Sequence, residues 1–325
     1  MNIVTGFRLA MWLVKVLPEA LGRAIFRAVG TVVGWSNMAG AVQLRKNYQR
    51  ITPLGSSWAQ RKRSAQGMRS YMDYYYEAFR LPALTEEQIT ARVRVVNDQG
   101  IREHFGRGKS ASGALLHMGN WDMAGAWASE HLAPTYSIAE KLEPPELADL
   151  FLDFRRSLGL TIYQTGKNSG AINSLTSNMR SGNAFVPLLC DRDLSASGVE
   201  VTLAGSPVRV AVGAALLAQR TGEPMYPVTI VNERIDDDDR ARRAGTRNGV
   251  AAIFGTPIFS GMTSQASARE KDADIRRMIQ QWLDQILPLL TTHLTDWHML
   301  QKVFVEDLDP ERLERARRST PKDDE

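Results

Sequence analysis

The sequence predicts an α/β fold with a central, mostly parallel sheet flanked by helices. Short apolar runs of strand length alternate with longer amphipathic segments of helix length through most of the chain, which is the pattern of such folds. The 325 residues are 43% apolar and 23% charged, ordinary values for a globular chain that buries a large core. We find no internal repeat and no linker, so we expect residues 1–325 to form a single domain.

Residues 1–34 predict two basic amphipathic helices separated near Pro18. Apolar residues recur there at steps of three and four, as they do along one face of a helix. Basic residues interrupt this run before it reaches the roughly 20 residues needed to span a bilayer. These residues are Arg8, Lys15, Arg23 and Arg27. With Trp12 and Trp35 as interfacial aromatics, the segment is typical of a helix pair that lies on a membrane. An ordinary surface helix is the alternative.

The charge distribution also indicates an anionic partner. Residues 1–70 hold eleven basic residues and one acidic residue, so they carry +10 while the rest of the chain carries −6. Basic runs at 45–50 and 61–63 extend this surface, but no nucleic-acid-binding motif accompanies them. We therefore expect an anionic membrane surface as the partner, and no nucleic acid.

The remaining elements follow in chain order. A helical stretch is expected at 72–82, and the run 236–239 with its following arginines predicts a solvated loop. The predicted strands are 114–117, 136–139, 161–164, 184–189, 225–231 and 250–254. The predicted helices are 121–131, 145–158, 171–180, 210–221 and 270–290. Residues 310–325 form a charged tail.

Chemistry concentrates in the segment HMGNWD, which spans 117–122 and directly follows an apolar strand. His117 is expected at the carboxyl end of that strand, where open α/β sheets bind their ligands. Asp122 is expected in the first turn of the next helix, whose dipole favours a carboxylate. A neutral imidazole placed there can take a proton from a hydroxyl group, provided that a carboxylate fixes its tautomer. A cysteine hydrolase would instead need Cys190, which ends an apolar strand and is expected to be buried and inert.

HMGNWD resembles the H-x-x-x-x-D/E motif of bacterial lipid acyltransferases related to the lipid A lauroyl and myristoyl transferases. Within that group, the chain is most similar to the actinobacterial phosphatidylinositol mannoside acyltransferases. The resemblance extends over nearly the whole chain, through SIAEKLEPPEL, DFRRSLGL, LLCDRDLSASGVEV, TGEPMYPV and DWHMLQ. It implies a glycerolipid acyltransferase-like fold, with a groove for a polar acceptor and a buried tunnel for an acyl chain.

The resemblance also implies roles for individual residues. His117 corresponds to the general base, and Asp122 to a nearby carboxylate that supports the local architecture. Asp191 stands where the relatives are expected to have a glutamate paired with the histidine, so the partner of His117 is either Asp191 or Asp122. Four further residues are expected to bind substrate: Glu140, Arg155, Arg192 and Asp193.

The function implied is transfer of a long-chain acyl group, such as palmitoyl from acyl-CoA, to a mannose hydroxyl of a phosphatidylinositol mannoside. Direct attack of the hydroxyl on the thioester needs neither a metal nor a cofactor, and backbone amides or Arg192 would hold the oxyanion. We expect a peripheral enzyme on the cytoplasmic face of the membrane. The alternatives are a lipid A-type transferase that uses acyl carrier protein, and a catalytically silent membrane-binding relative.

Overall fold

The computed structural model describes residues 11–12, 14, 16–139, 145–165, 170–193, 197–262, 265–311 and 313–314. The helices that begin and end within these residues are α1 (Glu19–Trp35), α2 (Ala39–Ile51), α3 (Ser57–Arg80), α4 (Glu86–Arg92), α5 (Gln99–Gly106), α6 (Trp121–His131), α7 (Pro145–Ser157), α8 (Ala171–Ser181), α9 (Gly213–Thr221), α10 (Asp238–Ala244) and α11 (Ala268–Thr292). Short 3₁₀ helices cover Leu81–Ala83, Leu294–Asp296 and Val305–Asp307.

A five-stranded sheet forms the centre of the molecule. The strands of the described chain are β1 (Val93–Val96), β2 (Ala111–Leu115), β3 (Tyr136–Ala139), β4 (Thr161–Gln164), β5 (Phe185–Leu189), β6 (Val199–Leu203), β7 (Ser206–Val210), β8 (Met225–Arg234) and β9 (Asn248–Phe254). The central sheet has the order β1-β9-β8-β2-β5, and its pairs are parallel except for the antiparallel pair β8–β9. The predicted mostly parallel sheet is therefore confirmed.

Two smaller sheets extend this arrangement. The parallel pair β3–β4 continues the sheet beyond β5, to which it is joined by a parallel bridge between Thr135 and Phe185. β6 and β7 form an antiparallel hairpin. The predicted strands at 136–139 and 161–164 coincide with β3 and β4.

The core lies on both faces of the sheet. Because side chains alternate along a strand, Ala114 and Leu116 contribute to one cluster, whereas Ala111 and Leu115 contribute to the other. The first cluster includes α8, α9 and α11, and the second includes α5 and α6. The sheet thus holds the end of β2 rigidly from both sides.

Three predicted elements need correction. The strand predicted at 114–117 ends at Leu115, so His117 lies in the turn beyond it. The helix predicted at 210–221 begins only at Gly213, because Val210 is the last residue of the β6–β7 hairpin. This hairpin turns at Ala204 and Gly205, which both have positive φ, and the sequence analysis missed it.

The predicted loop at 236–239 instead begins a helix, α10. The Asp237 side chain accepts a hydrogen bond from the Arg240 backbone N–H and so caps the helix. Asp238 and Asp239 lie in its first turn, where the helix dipole favours acids, and Arg242 and Arg243 lie in its last turn, where it favours bases. The run of acidic residues followed by arginines therefore favours a helix and not a loop.

The N-terminal helix α1 begins at Glu19, directly after Pro18, as the predicted break near Pro18 requires. It lies against α3 at very short range because its contact face consists of glycines. A Cβ at Gly34 would lie 2.3 Å from the Cα of Ala65, and one at Gly30 would lie 2.5 Å from the carbonyl oxygen of Met68. Only glycine allows the two backbones to approach this closely.

Arg23 of α1 does not face solvent as the amphipathic prediction requires. Arg23 is 5% exposed and forms ion pairs with Glu77 at 2.9 Å, Glu19 at 3.0 Å and Asp73 at 3.5 Å. Arg27 pairs with Asp73 at 2.6 Å. Burial costs a guanidinium its hydration, which these carboxylates replace. The expectation that Arg23 presents charge to lipid was therefore wrong, Arg27 is partly exposed, and Arg8 and Lys15 lie outside the described residues.

The outward face of α1 is apolar instead. Its exposed residues recur at helical spacing and include no charged side chain: Ala20, Leu21, Ala24, Ile25, Ala28, Val29 and Val32. Val32 is 70% exposed, and Trp58 at the start of α3 is 61% exposed. We call Leu21, Ile25, Val29 and Val32 the apolar face of α1. None of the described helices combines the length and hydropathy needed to cross a bilayer.

Gly34→Ala should destabilise the protein by about 3 kcal/mol, because the new methyl group meets backbone that cannot move without separating α1 from α3. The free energy of unfolding in urea measures this effect. Gly55→Ala is the matched control, since a Cβ at Gly55 has no atom within 4 Å. Equal stability of the two variants would contradict the close packing of α1.

Candidate active site

His117 and Asp191 meet at the carboxyl edge of the sheet. His117 lies two residues beyond β2, and Asp191 lies two residues beyond β5, the parallel neighbour of β2. Because parallel strands end at the same edge, residues 74 positions apart in the chain come into contact. The His117 side chain is 38% exposed, while that of Asp191 is 2% exposed.

The two side chains are joined by two hydrogen bonds. Nδ1 of His117 lies 2.6 Å from Oδ1 of Asp191, and the His117 backbone N–H donates to Oδ2 at 2.9 Å. Burial alone would raise the pKa of Asp191, but the His117 ring and the hydrogen-bond donors around the carboxylate lower it below its ordinary value. An ionised Asp191 can only accept a hydrogen bond, so Nδ1 of His117 carries the proton and donates it in this bond. The Nε2 lone pair is then the basic site of the ring.

The turn from His117 to Asp122 is shaped by its glycine and asparagine. Gly119 has a φ of +61°, and a Cβ there would lie 2.6 Å from the carbonyl oxygen of Ile230 in β8. Asn120 caps α6 by accepting the Met123 N–H at 3.0 Å, and its amide group donates to Glu77 at 3.0 Å. The turn is thereby held against both β8 and α3.

Asp122 contacts other partners than His117. It is 2% exposed, accepts the Tyr74 hydroxyl at 2.7 Å and pairs with Nε of Arg155 at 2.8 Å. The carboxylate beside it raises the pKa of Arg155, which therefore stays charged. Tyr74 also stacks on Trp121 with a centroid distance of 4.2 Å, and the Trp121 ring packs edge-on to His117 at 5.6 Å. Asp122 thus anchors the helix start and Arg155, and Asp191 is the carboxylate bonded to His117.

The segment after the 3₁₀ helix Leu294–Asp296 closes the site from the other side. It forms an antiparallel bridge between Trp297 and Met118, and its His298 N–H donates to the His117 carbonyl at 2.7 Å. Nε1 of Trp297 donates to Oδ2 of Asp191 at 2.8 Å. Burial, with a smaller effect of His117, lowers the pKa of His298 to about 3, so this ring is neutral at neutral pH.

The remaining predicted site residues are Arg192, Asp193 and Glu140. Arg192 and Asp193 directly follow Asp191 and are partly buried, and Asp193 accepts a hydrogen bond from Ser197 at 3.2 Å. Glu140 lies outside the described residues. Cys190 is fully buried, as expected, and burial raises the pKa of its thiol to about 12, so it is no nucleophile at neutral pH. Among the described residues no group of three His, Cys, Asp or Glu side chains is placed to hold a metal.

Three residues that shape the site were not predicted from the sequence: Trp297, Tyr74 and Glu77. Trp297 was visible in DWHMLQ, but as a structural signature without a partner. Tyr74 stands in the tyrosine-rich run of the helical stretch predicted at 72–82. Glu77 carried no signal, since its link to Asn120 depends on how α3 packs.

A histidine whose Nδ1 is held by a buried carboxylate at the end of a parallel strand is suited to an enzyme that activates a hydroxyl group. The chain belongs to the bacterial lipid A biosynthesis acyltransferase family, whose profile matches residues 6–305. It is thus a member of an acyltransferase family, as its motifs predict.

Two similar proteins with individual names are both phosphatidylinositol mannoside acyltransferases. The chain is 29% identical over 316 residues to the phosphatidylinositol mannoside acyltransferase of Mycolicibacterium smegmatis (strain ATCC 700084 / mc(2)155), with 97% of this chain and 95% of the relative covered. It is 28% identical over 312 residues to the phosphatidylinositol mannoside acyltransferase of Mycobacterium tuberculosis (strain ATCC 25618 / H37Rv), with 95% and 90% covered.

Asp122→Asn should lower the free energy of unfolding by about 3 kcal/mol, because it leaves the charge of Arg155 without its anion. Chemical denaturation measures this loss. Asp153→Asn on α7 is the control, since it breaks only the exposed pair with Arg156 and is worth about 0.5 kcal/mol or less. A loss as small as that of the control would show that the Asp122–Arg155 pair does not stabilise the fold.

Proposed function

We propose that the protein transfers a long-chain acyl group, palmitoyl from acyl-CoA, to a mannose hydroxyl of a phosphatidylinositol mannoside. The observation that carries the proposal is the His117–Asp191 pair, which leaves the basic nitrogen of a partly exposed ring facing outward. The names of the two mycobacterial relatives support the acceptor class.

In the proposed reaction, Nε2 of His117 takes the proton of the mannose hydroxyl while the hydroxyl oxygen attacks the carbonyl carbon of the thioester. Asp191 stabilises the imidazolium that forms. The tetrahedral intermediate then collapses, the C–S bond breaks, and the thiolate leaves with the proton that His117 returns. No covalent acyl-enzyme is needed, which agrees with the buried, protonated Cys190. The reaction as proposed uses no metal and no cofactor besides the donor.

Substrate-binding roles are proposed for four residues. Arg192 follows Asp191 directly and is suited to hold the oxyanion, while Asp193 and Glu140 are proposed to bind acceptor hydroxyls. Arg155 reaches the site through its ion pair with Asp122, and its guanidinium keeps further N–H donors besides Nε.

We propose peripheral contact with the cytoplasmic face of the membrane, and the apolar face of α1 supports the membrane contact. Its residues occupy the outer side of a helix whose glycines and charges all face the protein. Trp12, at 58% exposure, and Trp58 supply interfacial aromatics, and Lys62 lies 5.2 Å from the Trp58 ring. Such a surface inserts shallowly into the headgroup region, where apolar burial drives binding and basic side chains attract anionic lipid.

His117→Ala should lower acyl transfer by roughly 100- to 10,000-fold, the usual contribution of a general base. Asp191→Asn should lower turnover strongly as well, because the amide cannot stabilise an imidazolium. The assay follows release of CoA from palmitoyl-CoA and identifies the acylated phosphatidylinositol mannoside by mass spectrometry. His104→Ala is the matched control, since His104 also pairs with a carboxylate, Glu223 at 2.9 Å, but near the opposite end of β2.

Three outcomes would redirect this proposal. Transfer only from acyl carrier protein would favour the lipid A-type alternative. A folded protein that leaves the thioester intact with every donor and acceptor would be a silent membrane-binding relative. Near wild-type turnover of Asp191→Asn would show that His117 does not depend on Asp191.

Ile25→Gln with Val29→Gln should weaken binding to anionic vesicles at least tenfold, because both side chains lie on the outer face of α1 and each loses roughly 1 to 2 kcal/mol of apolar transfer. Co-sedimentation with vesicles of phosphatidylinositol and phosphatidylcholine measures the effect. Phe259→Gln is the control, since Phe259 is also exposed (54%) but lies far along the chain, after β9. Unchanged binding of the double variant would exclude α1 as the contact.

A further inference from the structure

We propose that Trp297 is a positioning residue of the active site, which acts on His117 through Asp191. This inference rests on the general-base role proposed for His117. The indole N–H of Trp297 donates to Oδ2 of Asp191 at 2.8 Å, and the side chain is fully buried. Its function would be to fix the direction and the basicity of the carboxylate that holds the imidazole.

The bond determines how Asp191 is oriented. Oδ2 accepts two donors, the Trp297 indole and the His117 backbone N–H, so that Oδ1 is left to face Nδ1 of His117. Two donors on one oxygen and one on the other prevent rotation of the carboxylate about its Cβ–Cγ bond. Nε2 of His117 then points in a fixed direction, which proton transfer in the reaction requires.

The donor is also neutral, and this matters for the charge of the site. An arginine or lysine in the place of Trp297 would satisfy Oδ2 equally well, but it would neutralise the charge that has to stabilise the imidazolium. An indole N–H replaces one water of hydration and leaves the full negative charge on Asp191. A buried carboxylate next to a general base therefore favours a neutral donor.

Trp297 is itself held in place from outside the site. The Tyr48 hydroxyl donates to the Trp297 carbonyl at 2.8 Å, and the Asn47 amide donates to the Met299 and Gln301 carbonyls at 2.8 and 2.9 Å. On the other side, the bridge to Met118 ties Trp297 to the turn that carries His117. Helix α2 thus supports Trp297. This residue is the outermost member of a hydrogen-bonded series that runs from Trp297 through Asp191 to His117.

The wild-type protein offers a first test that needs no variant and no substrate. Protein labelled with ¹⁵N in its seven tryptophans is titrated between pH 5 and 9, and the indole N–H signals are followed by NMR. We expect the Trp297 signal to move with the same midpoint as the His117 ring signals. The signal of Trp282, equally buried, should stay in place, because its Nε1 has no acceptor among the described residues. A Trp297 signal that ignores the His117 titration would overturn the proposal.

The second test compares Trp297→Phe with Trp282→Phe. Both substitutions shorten a fully buried indole to a phenyl ring, but only the first removes a hydrogen bond to Asp191. We expect Trp297→Phe to lower kcat roughly tenfold with little change in KM for the donor, the effect of one hydrogen bond to a charged group. Trp282→Phe should keep the wild-type kcat. Equal losses in the two variants would mean that Trp297 only fills space.

The pH profile separates positioning from packing. Without the indole donor the Asp191 carboxylate attracts the imidazolium more strongly, so the acid limb of kcat/KM should move to higher pH. Asp191 and His298 both interact electrostatically with the His117 ring, and His298 stays neutral over this range. An unshifted limb in Trp297→Phe would overturn the proposal. Failure of acyl transfer itself would leave the NMR test intact, so the two proposals fail separately.

Discussion

The carboxylate of Asp191 is buried beside the imidazole of His117, so its charge has to be stabilised by hydrogen bonds that do not neutralise it. Its donors come from the turn after β2 and from the segment that follows the 3₁₀ helix near residue 295, while Asp191 itself follows β5. Three distant parts of the chain therefore have to meet within one hydrogen-bond length. The parallel pairing of β2 and β5, the positive φ of Gly119 and the bridge from Met118 to Trp297 all serve this requirement.

The same requirement explains why the second carboxylate of the motif is occupied elsewhere. Asp122 holds Tyr74 and Arg155, so it fixes the start of α6 against α3 and α7. Trp121, between the two carboxylates in the chain, packs against both His117 and Tyr74. The motif HMGNWD thus supplies the proposed base, a turn glycine, a helix cap and an anchor, and each position has a separate physical reason. Asp191 completes the pair from outside the motif.

The elements that local pattern determines could be predicted from the sequence. β3, β4 and α6 occur where their periodicity predicts them, and His117 occurs at the carboxyl end of its strand. The pairing of His117 with Asp191 could not be derived, because two carboxylates were available and only sheet order brings one of them near. The burial of Arg23 was missed because its three acidic partners are distributed over α1 and α3, so the charge looked solvated. α10 was missed because a run of four aspartates was interpreted by charge alone, without the cap at Asp237.

Helix α1 has an inner face of glycines and paired charges and an outer face that is purely apolar. Residues on one face can therefore be replaced without changing the contacts of the other. Trimming the helix to obtain a better-behaved protein would remove Arg23, and with it the partner of Glu77, whose other oxygen holds Asn120, the cap of the turn that carries His117. Polar replacements confined to the outer face, by contrast, leave every one of those contacts in place. Solubility in water and the integrity of the candidate site can therefore be changed separately in this protein, because each depends on a different face of α1.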